Sequence, residues 1–175
     1  MGDPKRSQKK YDTPSRPWEE YRIKRESELM ERYGLRNKKE LWKSYSKLRR
    51  YRGQARSLLA ATGEQAEKES DQLLDRLYRL GMLHEDANLD DVLSMNVEDI
   101  LDRRLQTLAH RHGYANTIKQ ARQMITHGHI SIDGEKVDSP GYMTPRTEER
   151  NISYAARSPY KDRELNSEDA GDDNE

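Results

Sequence analysis

At 175 residues the chain has room for one or two compact domains, but 32% hydrophobic content, 37% charged residues and no phenylalanine leave it a small core and make part of it dependent on a partner for order. Cysteine is absent, which excludes disulfides, thiolate metal sites and thiol nucleophiles. The formal net charge of zero is a cancellation between blocks: +10 over residues 1–60, −9 over 61–102, +5 over 103–163 and −6 over 164–175.

Affinity for phosphate depends on the local patch that meets it, so a neutral total is compatible with two basic blocks that bind nucleic acid. The alternative for any one charge run is a solvated helix face. No apolar run approaches the roughly 20 residues of a membrane span, and the opening MGDPKRSQKK lacks the apolar segment of a secretion signal. A cytoplasmic protein with no membrane contact is expected.

Residues 1–16 are basic, contain Pro4 and Pro14 and show no apolar period, so they read as an arm. Pro17 suits the first position of a helix, Glu19 and Glu20 suit its dipole, and Gly34 suits its end. Asn37 followed by Glu40 resembles a capping box for a second helix running to Ala61, with Gly63 just beyond. Leu41, Tyr45, Leu48, Ala55, Leu58 and Leu59 form its apolar stripe, and Gly53 weakens its middle. The same helix carries Lys38, Lys39, Lys43, Lys47, Arg49, Arg50, Arg52 and Arg56, a density of charge that repels itself unless anions lie close. An acidic stretch from Glu64 to Leu80 brings Leu73, Leu74, Leu77 and Tyr78 to one side, with Gly81 as the stop. Asn88 with Asp91 and Asn96 with Asp99 each read as a cap before a further helix. These elements make a helical domain at 17–95.

From Asn96 the pattern changes. VEDILDRRLQTLAHRHG is expected to form one helix to about Arg111 with Ile100, Leu101, Leu105 and Leu108 inward, ended by Gly113. Thr117 with Gln120 caps a short helix, TIKQARQMITHG, whose Ile118, Ala121 and Ile125 face inward. His129 to Ile132 alternate, Asp133-Gly134 is a turn pair and Glu135 to Val137 return, a hairpin signal. Pro140 and Pro145 break the next loop, and Arg150 to Tyr154 alternate as a third strand. The expected class is α+β, with a two-helix, three-strand module at 96–160. An acidic, disordered tail is expected at 161–175.

Five histidines invite a search for metal or acid–base sites. On a helix His110 and His112 point about 200° apart, so they cannot chelate one metal together. His127 and His129 flank a helix-ending glycine without a cysteine to complete a zinc set. Phosphate-binding glycine loops, a nucleophile elbow and HExxH are missing. No catalytic residue, metal or cofactor is assigned, and no small-molecule substrate is expected. Nucleic-acid chemistry has better support. Arg103, Arg104, Thr107 and Arg111 are expected on the outer side of the first module helix, with Lys119, Arg122 and Gln123 on that of the second. Guanidinium and ammonium groups meet phosphate, while Gln, Thr and His can hydrogen-bond sugar or base edges. A pair of capped helices also suits a helix-turn-helix DNA-binding regulator.

DRRLQTLAHRHGYANTIKQARQMITHGHISIDGEKVDSPGYMTPRTEERNISY resembles the S-four RNA-binding module, with RRLQT, KQARQMITHGHI and the Asp-Gly hairpin carrying the match. GDPKRSQKKYDTPSRPW, ERYGLRNKKELW, LRRYRGQARSLLA and DDVLSMNVEDILDRRLQT extend the likeness, over about residues 1–160, to the small-subunit ribosomal protein S-four family of archaeal or eukaryotic type. That resemblance implies a non-catalytic constituent of the small ribosomal subunit. Such a protein binds the five-prime domain of small-subunit ribosomal RNA at a multi-helix junction, nucleates assembly, neighbours ribosomal protein S-five near the messenger entrance, and influences decoding accuracy. An extraribosomal RNA chaperone using the same module is the alternative. The expected RNA face comprises Arg103, Arg104, Gln106, Thr107, Lys119, Gln120, Arg122, Gln123, His127, His129 and Lys136, joined by Lys43, Lys47, Arg49, Arg50, Arg52 and Arg56. Gln106 and Gln120 enter on the resemblance, and a capping role is an equal reading of Gln120. The chain departs from its relatives in acidity, and without cysteine it cannot hold the zinc site of some bacterial relatives.

Overall fold

A computed structural model describes residues 9–161. Residues 1–8 of the basic arm and all but the first residue of the acidic tail lie outside the described residues. The helices α1 (Glu20–Arg32), α2 (Lys38–Ala60), α3 (Glu64–Arg79), α4 (Leu89–Ser94) and α5 (Val97–Asp102) are followed by α6 (Leu105–Arg111) and α7 (Ile118–Thr126). Then come β1 (Ile130–Ile132), β2 (Glu135–Lys136), a single turn α8 (Arg146–Glu149) and β3 (Ile152–Tyr154), completing an α+β chain. None of the described helices is long and apolar enough to cross a membrane.

Local signals place most helix ends. Gly34 takes φ +57° and lets Leu35 N–H donate to Met30 O at 2.9 Å, the left-handed closure that ends α1. Asn37 accepts from Glu40 N–H at 3.2 Å to open α2, and reciprocal capping boxes open α4 and α5. The first correction concerns α1, which begins beyond Pro17 with Glu19 at its cap. On α2 the apolar stripe holds at Leu41, Leu48 and Ala55 and gains Tyr51, but Leu59 is 49% exposed because the helix outruns the core there.

The larger correction is that 97–111 is two helices. Arg104 is extended (φ −77°, ψ 140°) and bridges Met143 in antiparallel fashion. Leu105 N–H donates to Tyr142 O at 2.8 Å and Thr144 N–H to Arg103 O at 3.0 Å. Backbone groups that would have continued the helix are captured by a loop some forty residues later, which helical periodicity cannot reveal. The hairpin turns on Asp133 (φ +52°) and Gly134 (φ +82°), both left-handed as a type I′ turn needs. β1 is central, pairing antiparallel with β2 and β3, with Ile132 opposite Ile152. β3 starts later than Arg150 because Pro145 opens the turn α8, which Arg150 closes.

The apolar side chains form two clusters. One unites Leu29, Leu41, Leu48, Leu77, Val92, Ile100 and Leu101; the other unites Leu105, Leu108, Ala121, Ile125, Ile130 and Ile152. The packing seam therefore runs between Leu101 and Leu105, and α5 packs with the helices before it rather than with the sheet. Gln106, fully buried, closes that seam: its amide donates to Tyr33 O, Gly34 O and Ile118 O at 3.3, 3.1 and 3.0 Å.

Candidate nucleic-acid interface

At roughly 100° per residue the cations of α2 divide into two stripes about 150° apart, on either side of its buried face. Lys43, Lys47 and Arg50 form one, and Arg49, Arg52 and Arg56 the other. The first stripe meets the module. Glu40, one turn before Lys43, accepts from Arg104 Nη2 at 2.7 Å and from Arg122 Nη1 and Nη2 at 3.1 and 2.7 Å. That carboxylate ties α2 to the start of α6 and to α7 at once. Burial pushes its proton affinity up, but the hydrogen bonds and charges of Arg122 and Arg104 outweigh this and hold it below the usual carboxylate range. The Asn37–Glu40 capping box is thus only half made, because the glutamate side chain is drawn to the arginines.

Beside this pair the positive charge accumulates. Exposed Lys47 has its ammonium held below the ordinary lysine value, by desolvation and then by the charges of Arg104, Lys43, Arg50 and Arg76. Lys43, Lys47 and Arg50 of α2, Arg76 of α3 and Arg104 of the module thus act on one another electrostatically along this side of α2, and Glu40 is paired with Arg104 and Arg122 at its start. Such a cluster lowers its own energy by accepting phosphate.

The residues expected on the RNA face separate into three groups. Lys119, Gln123, His127 and Lys136 on the module are exposed, as are Lys43, Lys47, Arg49, Arg50 and Arg56 on α2. Arg122, Gln120, His129 and Arg52 are half-buried and already engaged. Gln120 accepts from Asn116 N–H at 3.0 Å, supporting its capping reading; Arg52 donates to Met95 O; His129 meets the ring of Tyr160 edge-on at 5.3 Å.

Arg103, Arg104, Gln106 and Thr107 do not line an outer surface, contrary to expectation. Arg104 is 6% exposed under Glu40, and Arg103 pairs with Glu149 at 2.8 Å and donates to Thr144 O. Thr107 is buried and donates to Leu101 O at 2.8 Å, satisfying the end of α5. The helix break rotates these side chains into the seam. Lys136 lays its stem across Gly128, whose φ of +74° and lack of Cβ leave room for it.

Two members of the site escaped sequence reasoning. Arg76 sits in the acidic block, where a count by segment hides it, and Glu40 looked like an ordinary cap. The i, i+4, i+7 spacing of Lys43, Lys47 and Arg50 was the available signal for the face itself.

Comparison with known proteins adds independent information. The family model of the S4 domain matches residues 103–146. The chain is 53% identical over 161 residues to the small ribosomal subunit protein uS4 of Methanothermobacter thermautotrophicus, covering 92% of this chain and 94% of that protein. It is 57% identical over 160 residues to the protein of the same name from Methanococcus aeolicus, covering 91% and 90%. A third such protein, from Ignicoccus hospitalis, is 53% identical over 91% of this chain and 96% of its own length.

Proposed function

The chain belongs to the uS4 family of small ribosomal subunit proteins, and from that premise we propose that it is a non-catalytic constituent of the small subunit that binds small-subunit ribosomal RNA. The observation that supports this reading best is the cationic cluster around Lys47, shared between α2, α3 and the module, whose α2 end is tied to the module by Glu40. Its charge is drawn from segments far apart in sequence, as recognition of an RNA junction requires, because a junction presents phosphates from several helices at once. In this reading Lys43, Lys47, Arg50 and Arg76 meet phosphate together with Lys119 and Gln123, while Arg104 and Gln106 hold the two halves of the chain in register. Residues 17–102 act as the helical domain and 103–160 as the RNA-binding module, a boundary later than 95/96 because α5 packs with the helices before it.

The finer roles belong to the same proposal: nucleation of subunit assembly, contact with the neighbouring ribosomal protein S-five and an influence on decoding accuracy. The test is binding of the full-length protein to five-prime domain RNA over a range of salt. Lys43→Gln with Lys47→Gln should weaken binding about tenfold and lower the salt slope by about one per lost phosphate contact. Unchanged affinity and slope would refute the face. Co-sedimentation with small subunits at one copy each separates this function from that of a free RNA chaperone.

A further inference from the structure

The second cationic stripe of α2 faces away from the seam, so Arg49, Arg52 and Arg56 cannot share one RNA surface with Lys43, Lys47 and Arg50. Trp42, Tyr45, Arg49, Arg52 and Arg56 follow one another at i, i+3, i+7, i+10 and i+14, a single line about 21 Å long on the helix surface. All five line a groove of about 660 Å³ whose opposite walls are α1 and the arm segment 12–16. The arm is fixed there rather than loose. Asp12 N–H donates to Ser46 Oγ at 2.9 Å, Arg49 pairs with Asp12 at 3.2 Å, and Arg22 donates to Arg16 O and Pro17 O at 2.9 Å each.

We propose that this groove is a second RNA site, distinct from the cationic seam, and that it takes an unpaired strand rather than a helix. The inference rests on the RNA-binding reading above and deepens it by naming a separate ligand class. Three guanidiniums in the groove, those of Arg16, Arg25 and Arg56, have no carboxylate partner among the described residues, so they are available to phosphate. Between them stand flat rings. Tyr21 on α1 is 75% exposed, and Tyr45 is half-buried in the floor.

Beside the groove, one ring stack on a lining residue is already made. Tyr11 of the arm stacks on Trp42 with centroids 6.1 Å apart, and the Lys9 ammonium lies 4.8 Å over Tyr11. The carboxylates of the lining, Asp12, Glu19 and Glu26, are already paired with Arg49 and Arg22, and the remaining cations and aromatic faces match a strand whose bases are free to stack and whose phosphates run alongside. A duplex buries its base faces and would use only the charges. An acidic peptide would likewise leave the rings unused.

The experiment uses the full-length protein with two probes, a labelled octauridylate and a base-paired RNA hairpin. Arg25→Gln with Arg56→Gln should weaken the octamer about tenfold and leave hairpin affinity within about twofold. Lys43→Gln with Lys47→Gln should do the reverse. All four side chains are exposed, so folding is preserved, which circular dichroism checks. The chain has two tryptophans, and in a Trp18→Phe protein the remaining emission from Trp42 should be quenched by the octamer and not by the hairpin. Preference among octamers of scrambled sequence supports a fixed ribosomal loop as the strand, and indifference supports a strand of variable sequence. Loss of both probes in both double variants overturns the second site, as does displacement of the octamer by oligoglutamate at equal charge. An octamer that fails to bind while the hairpin binds overturns this inference alone, whereas failure of both probes overturns the RNA-binding reading.

Discussion

Replacement of Glu40 by glutamine tests the seam directly. The carboxylate is 18% exposed and accepts three hydrogen bonds from Arg104 and Arg122, whose side chains are 7% and 22% exposed. Glutamine keeps the shape and one acceptor oxygen but leaves two close guanidiniums with no counter-charge. Breaking a buried pair from one side costs about 3–5 kcal/mol, and the remaining acceptor and partial exposure of Arg122 reduce this to about 3 kcal/mol. For a chain of this size that is a fall in Tm of about 6–12 °C at neutral pH. Because Glu40 titrates below its unfolded value, its contribution is fully present above about pH 4.3 and is lost as pH falls through the lower folded value. The gap between wild type and Glu40→Gln should therefore be constant from pH 5 to 7 and close below about pH 4. Thermal melts of both proteins across that range decide the matter. A variant that melts within 1 °C of wild type at pH 7, or a gap that widens in acid, would refute the assignment of Glu40 as the counter-charge of the seam.

Three further outcomes follow from the same geometry. In a 96–160 fragment Arg104 loses Glu40 and is opened to water with it, so Arg104→Met should lower the melting temperature of the full chain and leave that of the fragment within about 1 °C; an equal fall in both refutes the pairing. Gln106→Leu removes the amide donor from three backbone carbonyls and should cost about 2–3 kcal/mol, read as a lower urea midpoint with an unchanged slope. Truncation of residues 164–175, which carry −6, should leave Tm unchanged and raise non-specific RNA affinity at low salt, and an earlier melt would show that the segment supports the fold.

What the sequence reveals about this fold is what neighbouring residues decide among themselves. Asn37, Asn88, Asn96 and Thr117 cap the helices they introduce, Gly34 and Gly81 end them in left-handed turns, and Asp133-Gly134 makes the hairpin, because each needs only residues within one turn. The break at Arg103–Arg104 stayed hidden because its cause, backbone pairing with 142–144, lies far along the chain. That one event also misdirected part of the site. With an unbroken helix, Arg104, Gln106 and Thr107 fall on a polar outer side; with the break, they turn inward and find Glu40, Tyr33, Gly34 and Leu101. Charge alone implies exposure, and a buried arginine is legible only once its partner, 64 residues away, is known to lie beside it.

The arrangement around Glu40 also explains how a strongly basic helix can pack against a basic module before any RNA arrives. Without an anion, Lys43, Lys47, Arg50 and Arg76 on one side and Arg104 and Arg122 on the other would repel across the seam. A carboxylate on every cation would remove that repulsion but also the attraction for phosphate. One glutamate, shared by Arg104 and Arg122, offsets part of the charge that water screens least and leaves the exposed cations uncompensated. The two halves of the face are then held in register in the free protein, and RNA meets a surface whose ordering cost has already been met by folding.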